Sequence, residues 1–436
     1  MTNEERKIHY MKRNVKMYPA LCALTWEVFF VWTISTMFYT QVKGLTYSQT
    51  ASLDSVLMLT SCICCYLVLK FFKKVTPINS MRISLVGYLA FVLICIFGQG
   101  YIMMMLANIC LGIGYAAGMT KGNFVITEPL SILKRDNEYS KIYGKGLSIY
   151  YIAEAICSVA ATYLFSWNPY ASYWFAAAII VFALLYSLLY KEPSKFQDSN
   201  VEIDNTKPKD KVKTKSKKFS LKSISLFVVY IVIFSFMFRG VLGVTSSMFR
   251  IYLQEATGTG IIPVWLFGYI YAISRLCVAL STKFQFKFNL KFGVRTLILF
   301  YVLTIIGFVA NGLMYILLPL NIGTVIITIL LSFILSALRA PGNIFLNNYT
   351  QICTRKNNVE NVYAYKSIAE YLGHSVGALL ISFALNITCG NYGMSMLIFI
   401  GIMAVPFAIS LFLFIRELCK KYAQKYTIIK EEYTED

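Results

Sequence analysis

The stretch KEPSKFQDSNVEIDNTKPKDKVKTKSKKFSLK, from Lys191 to Lys222, decides how the chain is organised. It holds ten lysines and five acids, Glu192, Asp198, Glu202, Asp204 and Asp210. So polar a segment buries too little apolar surface to offset the entropy of ordering it, which predicts a mobile soluble tether. On either side runs a long apolar block, broken at regular intervals by short polar joints. The division is then 1–190 and 223–418 as two membrane-embedded blocks, 191–222 as the linker between them, and 419–436 as a polar tail.

Composition places the chain in lipid. Hydrophobic residues make up 57% and charged residues 14%, against about 25% charged in a soluble domain. The net charge of +20 suggests nucleic acid only if the basic residues share a soluble surface. Here they sit in joints between apolar runs, so nucleic acid is set aside. The eleven cysteines have no paired spacing, and Cys22, Cys62, Cys64, Cys65, Cys95, Cys110, Cys157 and Cys277 fall inside apolar runs as small hydrophobes. No disulfide framework, metal site or cofactor is expected. The basic opening MTNEERKIHYMKRNVKMYP lacks a small-residue cleavage motif and does not read as a signal peptide.

A helix needs about 20 apolar residues to cross the hydrocarbon. Twelve stretches qualify: 17–39, 49–69, 80–97, 102–125, 143–165 and 171–190 before the tether, and 224–250, 261–281, 296–313, 318–343, 363–385 and 393–415 after it. Basic residues test this count independently, because cytoplasmic joints are enriched in them. Thirty-five of the 41 lie in the N-terminus, the tether, the tail and every second joint between; Lys43 is the exception, with Arg250 close to another opposite joint. The expectation is a multi-pass protein of the plasma membrane with twelve spans and both termini cytoplasmic.

The blocks repeat one another. Tyr39 and Gln41 at the end of the first span recur as Tyr252 and Gln254, an offset of 213; Gly122 and Asn123 recur as Gly342 and Asn343, and Arg135 as Arg355, an offset of 220. Both blocks start on the same side, so the repeat is parallel about an axis along the membrane normal. Two parallel six-span blocks, a charged central loop and cytoplasmic termini resemble the major facilitator superfamily over about 10–420. Local stretches are similar too: FYTQVKGLTYSQTASLDS, EYSKIYGKGLSIYYIAEAI and SRLCVALSTKFQFKFNLKFGVR. The joint LKFFKKVTPINSMR keeps the family's positive charges without its acid. Signatures of the drug antiporters and peptide symporters are missing, so the resemblance names no substrate. It implies an all-α fold of twelve helices in which spans 1, 4, 7 and 10 line a cavity, spans 2, 5, 8 and 11 surround it, and the blocks rock about it.

Ionisable residues at lipid depth cost about 2.5–3.5 kcal/mol each on insertion scales and are functional candidates by default. Glu27, Glu154, Arg239 and His374 lie near the middles of spans 1, 5, 7 and 11. Glu27 and Arg239 differ by 212, close to the repeat offset, and are expected to face each other, pairing when the site is empty and parting for a polar or zwitterionic substrate. Trp26, Phe30, Arg339 and Asn343 join them as substrate contacts. Glu154, Glu370 and His374 are the expected proton-coupling groups: Glu154 and His374 differ by 220, and Glu370 lies one turn from His374, where a fixed Glu370–His374 pair is the competing reading. Lys121 and Arg275, towards the cytoplasmic ends of their spans, and Asp54, at the outer start of span 2, are expected at the vestibule or gate; for the two basic residues the competing reading is a structural pair stapling helices together, or snorkelling to the inner interface. Tyr150, Tyr151 and Tyr271 are further cavity residues. The reading is a monomeric, proton-coupled secondary transporter of a small molecule in the bilayer, working by rocker-switch alternating access. The alternatives are a lipid or lipid-linked sugar flippase and a non-transporting receptor; the chain carries no motif of an intramembrane enzyme.

Overall fold

Apolar spans in lipid leave the backbone one way to satisfy its polar groups within each segment, and that is the α-helix. The computed structural model describes residues 3–71, 75–121, 125–135, 138–192, 226–292, 294–317, 320–353 and 359–432, and among these there is no strand. Residues 193–225, nearly all of the predicted tether, lie outside the described residues.

The first span is not one helix. α1 (Asn3–Trp26) stops at mid-span, residues 27–34 form turns, and helix resumes as α2 (Ser35–Met37) and a π-helical segment, Phe38–Val42. The local sequence explains the stop. Val28, Phe29, Phe30, Val31, Trp32, Thr33 and Ile34 are all β-branched or aromatic, the types that lose most rotamer freedom against a preceding helical turn. Burial of Val28, Val31 and Ile34 in the core holds the irregular path. Phe30 adopts φ +67°, a left-handed value that a bulky residue seldom takes.

The rest of the first block follows as α3 (Tyr47–Phe71), α4 (Pro77–Phe97), α5 (Gly100–Lys121), the short α6 (Thr127–Ile132), α7 (Tyr139–Trp167) and α8 (Ala171–Leu188). The second block holds α9 (Leu226–Gly258), α10 (Val264–Phe292), α11 (Val294–Leu317), α12 (Ile322–Cys353), α13 (Val359–Ile387) and α14 (Tyr392–Glu432). Apart from the break in the first span, the described residues of the predicted spans are largely helical. Nine described stretches are long and apolar enough to cross a membrane by themselves; Tyr301–Tyr315 and Ile322–Leu338, in α11 and α12, are shorter apolar stretches. α11 ends at Leu317 and α12 begins at Ile322, and α14 continues through most of the predicted tail. Large apolar side chains such as Trp167, Ile102 and Phe97 point outward at 70–80% exposure, as a surface bathed in lipid tails allows.

Contacts define two ends of the bundle. At the proximal end, Arg13 donates to the Leu189 carbonyl, Asn14 to the Lys191 carbonyl at 2.7 Å and Tyr190 to the Val125 carbonyl at 2.7 Å. At the distal end, Lys43 donates to the Gly98 carbonyl at 2.7 Å and lies over the rings of Phe38 and Tyr170. That cage within one block accounts for the lysine in an opposite joint. The blocks meet along α3–α13 and α7–α10. Gly268 of α10 brings the second pair close: a Cβ there would fall 2.5 Å from Thr162 Oγ1 and 2.6 Å from the Ser158 carbonyl.

Candidate functional site

Midway along α7 and α10 the blocks are joined by charge. Arg275 Nη2 lies 2.8 Å from Glu154 Oε1, and Glu154 is buried. The other carboxylate oxygen, Oε2, is also buried, and the Tyr150 hydroxyl is close to this carboxylate as well. One turn earlier on α7, Tyr150 is fully buried and donates to Glu27 Oε2 at 2.6 Å. Its ring packs on Phe29 and Tyr151. The Arg275 guanidinium is also within electrostatic range of Glu27. Two carboxylates of the first block therefore flank one guanidinium of the second. The break in the first span makes this possible, because it swings Glu27 off the end of α1 towards α7. Thr33, at the far end of the break, donates to Ser158 Oγ at 2.9 Å and pins the segment to the same helix.

A second charged group ties the blocks at the distal end. Arg250 Nη2 meets Asp54 Oδ2 at 2.9 Å, and both side chains are largely buried. Ser247 donates to the same oxygen at 2.7 Å, and Arg250 Nη1 reaches Ser35 Oγ at 3.3 Å. Around this lock Gln254 donates to Thr40, Tyr47 to Glu255 Oε2 at 3.2 Å, and Ser48 and Ser382 stand 3.2 Å apart. Ser55 and Ser375 continue the α3–α13 seam at 2.9 Å.

Several expectations change. The Glu27–Arg239 ion pair does not form: Glu27 turns to Tyr150, and Arg239 has no carboxylate in ion-pair range among the described residues. Glu370 pairs with Lys366 at 2.7 Å, one turn towards the start of α13, rather than with His374. The His374 ring instead lies against Gly243 of α9, where a Cβ would fall 2.4 Å from it. Arg275 is paired with Glu154 of α7 midway along α10, deeper than its distance from the span end suggests. Asp54 is the partner of Arg250 in the distal pair. Phe30 packs on Phe175. The side chains of Trp26, Lys121, Arg339 and Asn343 lie outside the described ones. Arg250 is the residue the sequence reading passed over. Its signal was present, because it is the cation nearest a joint otherwise free of positive charge, and Asp54 is an acid on the same side of the other block.

The profile of the Major Facilitator Superfamily matches residues 17–378. No curated protein matches the chain in sequence. Among solved structures, the nucleoside transporter NupG superposes with a TM-score of 0.66 at 15% identity, covering 93% of this chain and 99% of that one. A D-xylose-proton symporter superposes with a TM-score of 0.64 at 13% identity, covering 93% and 96%. At such identities the likeness is one of fold. With the profile spanning most of its length and the same helical architecture throughout, the chain belongs to the major facilitator superfamily.

Proposed function

We propose that the chain is a proton-driven secondary transporter of a small polar solute, working by alternating access between two six-span blocks that rock about the mid-membrane site. The observation that carries this reading is the Glu154–Arg275 pair, an ion pair between the blocks at mid-membrane with a second acid beside it. The distribution of basic residues supports cytoplasmic termini in the plasma membrane, with the distal lock facing out.

The site suggests how a proton is used. Burial disfavours the charged form of a carboxyl unless a cation compensates it. A proton arriving at Glu154 removes the charge that holds Arg275, and Arg275 keeps Glu27 as a neighbouring counter-charge. The tie between the blocks at mid-membrane then weakens, and they can move relative to one another. When the proton leaves on the other side, the pair reforms. Glu370 and His374, further along the second block, are secondary candidates for the same role.

The test is transport in proteoliposomes. Glu154→Gln is expected to abolish accumulation driven by a pH gradient while leaving exchange at equal pH. Accumulation at the wild-type level in this variant would remove Glu154 from coupling.

A further inference from the structure

We infer that the solute is a zwitterion, with its ammonium group at Glu27 and its carboxylate at Arg239. The inference rests on the transport reading above and names the substrate class of the same site.

The orientation of Arg239 follows from α9. Eleven residues, three turns, separate it from Arg250, so both side chains leave the same face of the helix. Arg250 reaches across to Asp54 and Ser35 of the first block. Arg239 therefore faces that block too, about 16 Å deeper along the axis. It is half-buried, and no carboxylate among the described residues pairs with it. On the facing block Glu27 is also half-buried; its close partner is a neutral phenol, and the nearby Arg275 is held by Glu154.

A chain of neighbouring tyrosines links the two charges. Tyr88 and Tyr115 are in electrostatic range of Glu27, with ring centroids 5.8 Å apart. Tyr371 is in range of Arg239, and of Tyr88 and Tyr115 in turn. The site is thus a tyrosine wall with an acid at one end and a guanidinium at the other, on opposite blocks and too far apart to neutralise each other.

A charge at this depth without a full partner is costly. An uncharged solute leaves Arg239 unpaired and Glu27 with only a share of Arg275, whose close partner is Glu154, and a cation or an anion leaves one of the two in that state. A zwitterion compensates both, and in doing so bridges the blocks. The chemistry fits at each end. A guanidinium fork binds a carboxylate through two parallel hydrogen bonds, and an ammonium group is stabilised by a carboxylate next to tyrosine faces.

The test uses purified full-length protein and a panel of α-amino acids, betaines and dipeptides, with uridine and xylose as uncharged comparators. Binding is read by thermal shift and confirmed by counterflow in proteoliposomes. At least one zwitterion is expected to bind, with its carboxamide and its N-acetyl derivative each at least tenfold weaker. Glu27→Gln should remove the discrimination against the N-acetyl form, and Arg239→Gln that against the carboxamide. Binding of uridine or xylose but of no zwitterion would overturn the inference, as would unchanged discrimination in both variants. Counterflow separates the two readings: exchange of a non-zwitterionic solute sinks the substrate class alone, whereas bound solutes that never exchange count against transport itself.

Discussion

Arg275 and Glu154 hold each other in a place where neither belongs alone. Replacing Arg275 with Gln leaves a buried carboxylate without its counter-charge, a change that costs about 3–5 kcal/mol in buried pairs. Removing both charges in Glu154→Gln/Arg275→Gln should cost distinctly less. Thermal unfolding of the purified variants checks this order, and a double variant as unstable as Arg275→Gln would show that packing, not charge, is what Arg275 supplies. The deficit of Arg275→Gln should also shrink at acid pH, where a protonated Glu154 no longer buries an unpaired charge. At this scale the sequence was partly legible. Depth within a span marked Glu27, Glu154 and Arg239, because an ionisable residue among apolar ones is conspicuous. It gave no partners, since these depend on how helices rotate against each other. Arg275 is the example: an assignment by distance from the span end put it near the surface, and only the crossing of α10 over α7 brings it to Glu154.

The broken first span is the element that links the central site to the distal lock. Glu27 at its start is bonded to α7, and Ser35 at its end to Arg250. Its geometry rests in part on Phe30 at φ +67°. A Cβ disfavours that conformation by roughly 1–2 kcal/mol, and glycine does not. Phe30→Ala and Phe30→Gly both lose the contact with Phe175, so the difference between them reports the backbone alone. Phe30→Gly should be the more stable by about 1 kcal/mol in denaturation of the purified protein; the reverse order would mean that the left-handed turn does not exist in the folded protein. No sequence signal announced the break. It has no glycine or proline, and a 20-residue hydropathy window averages across it. The aromatic and β-branched run from Val28 to Ile34 lowers helix propensity, yet in lipid such runs are ordinary, and the break becomes visible only through the burial of both faces.

The helical architecture was legible at the scale of the whole molecule, because lipid leaves few alternatives to helices, and the alternation of basic residues predicts which joints face the cytoplasm. Two exposed cysteines test that record: Cys389 at the distal end and Cys419 beyond the last span. In intact cells a membrane-impermeant maleimide should label Cys389 and spare Cys419 until the membrane is opened, and labelling of Cys419 from outside would invert the topology. We propose that, if the blocks rock as inferred above, they part at the distal Arg250–Asp54 pair in every transport cycle. Ser48 and Ser382 face each other across the seam with their hydroxyls 3.2 Å apart, close enough for a disulfide between cysteines at these positions. The decisive measurement is counterflow by Ser48→Cys/Ser382→Cys, in a background where the native cysteines are replaced, before and after oxidation. Cross-linking is expected to stop transport and a reductant to restore it, whereas undiminished transport by the fully cross-linked protein would contradict the account.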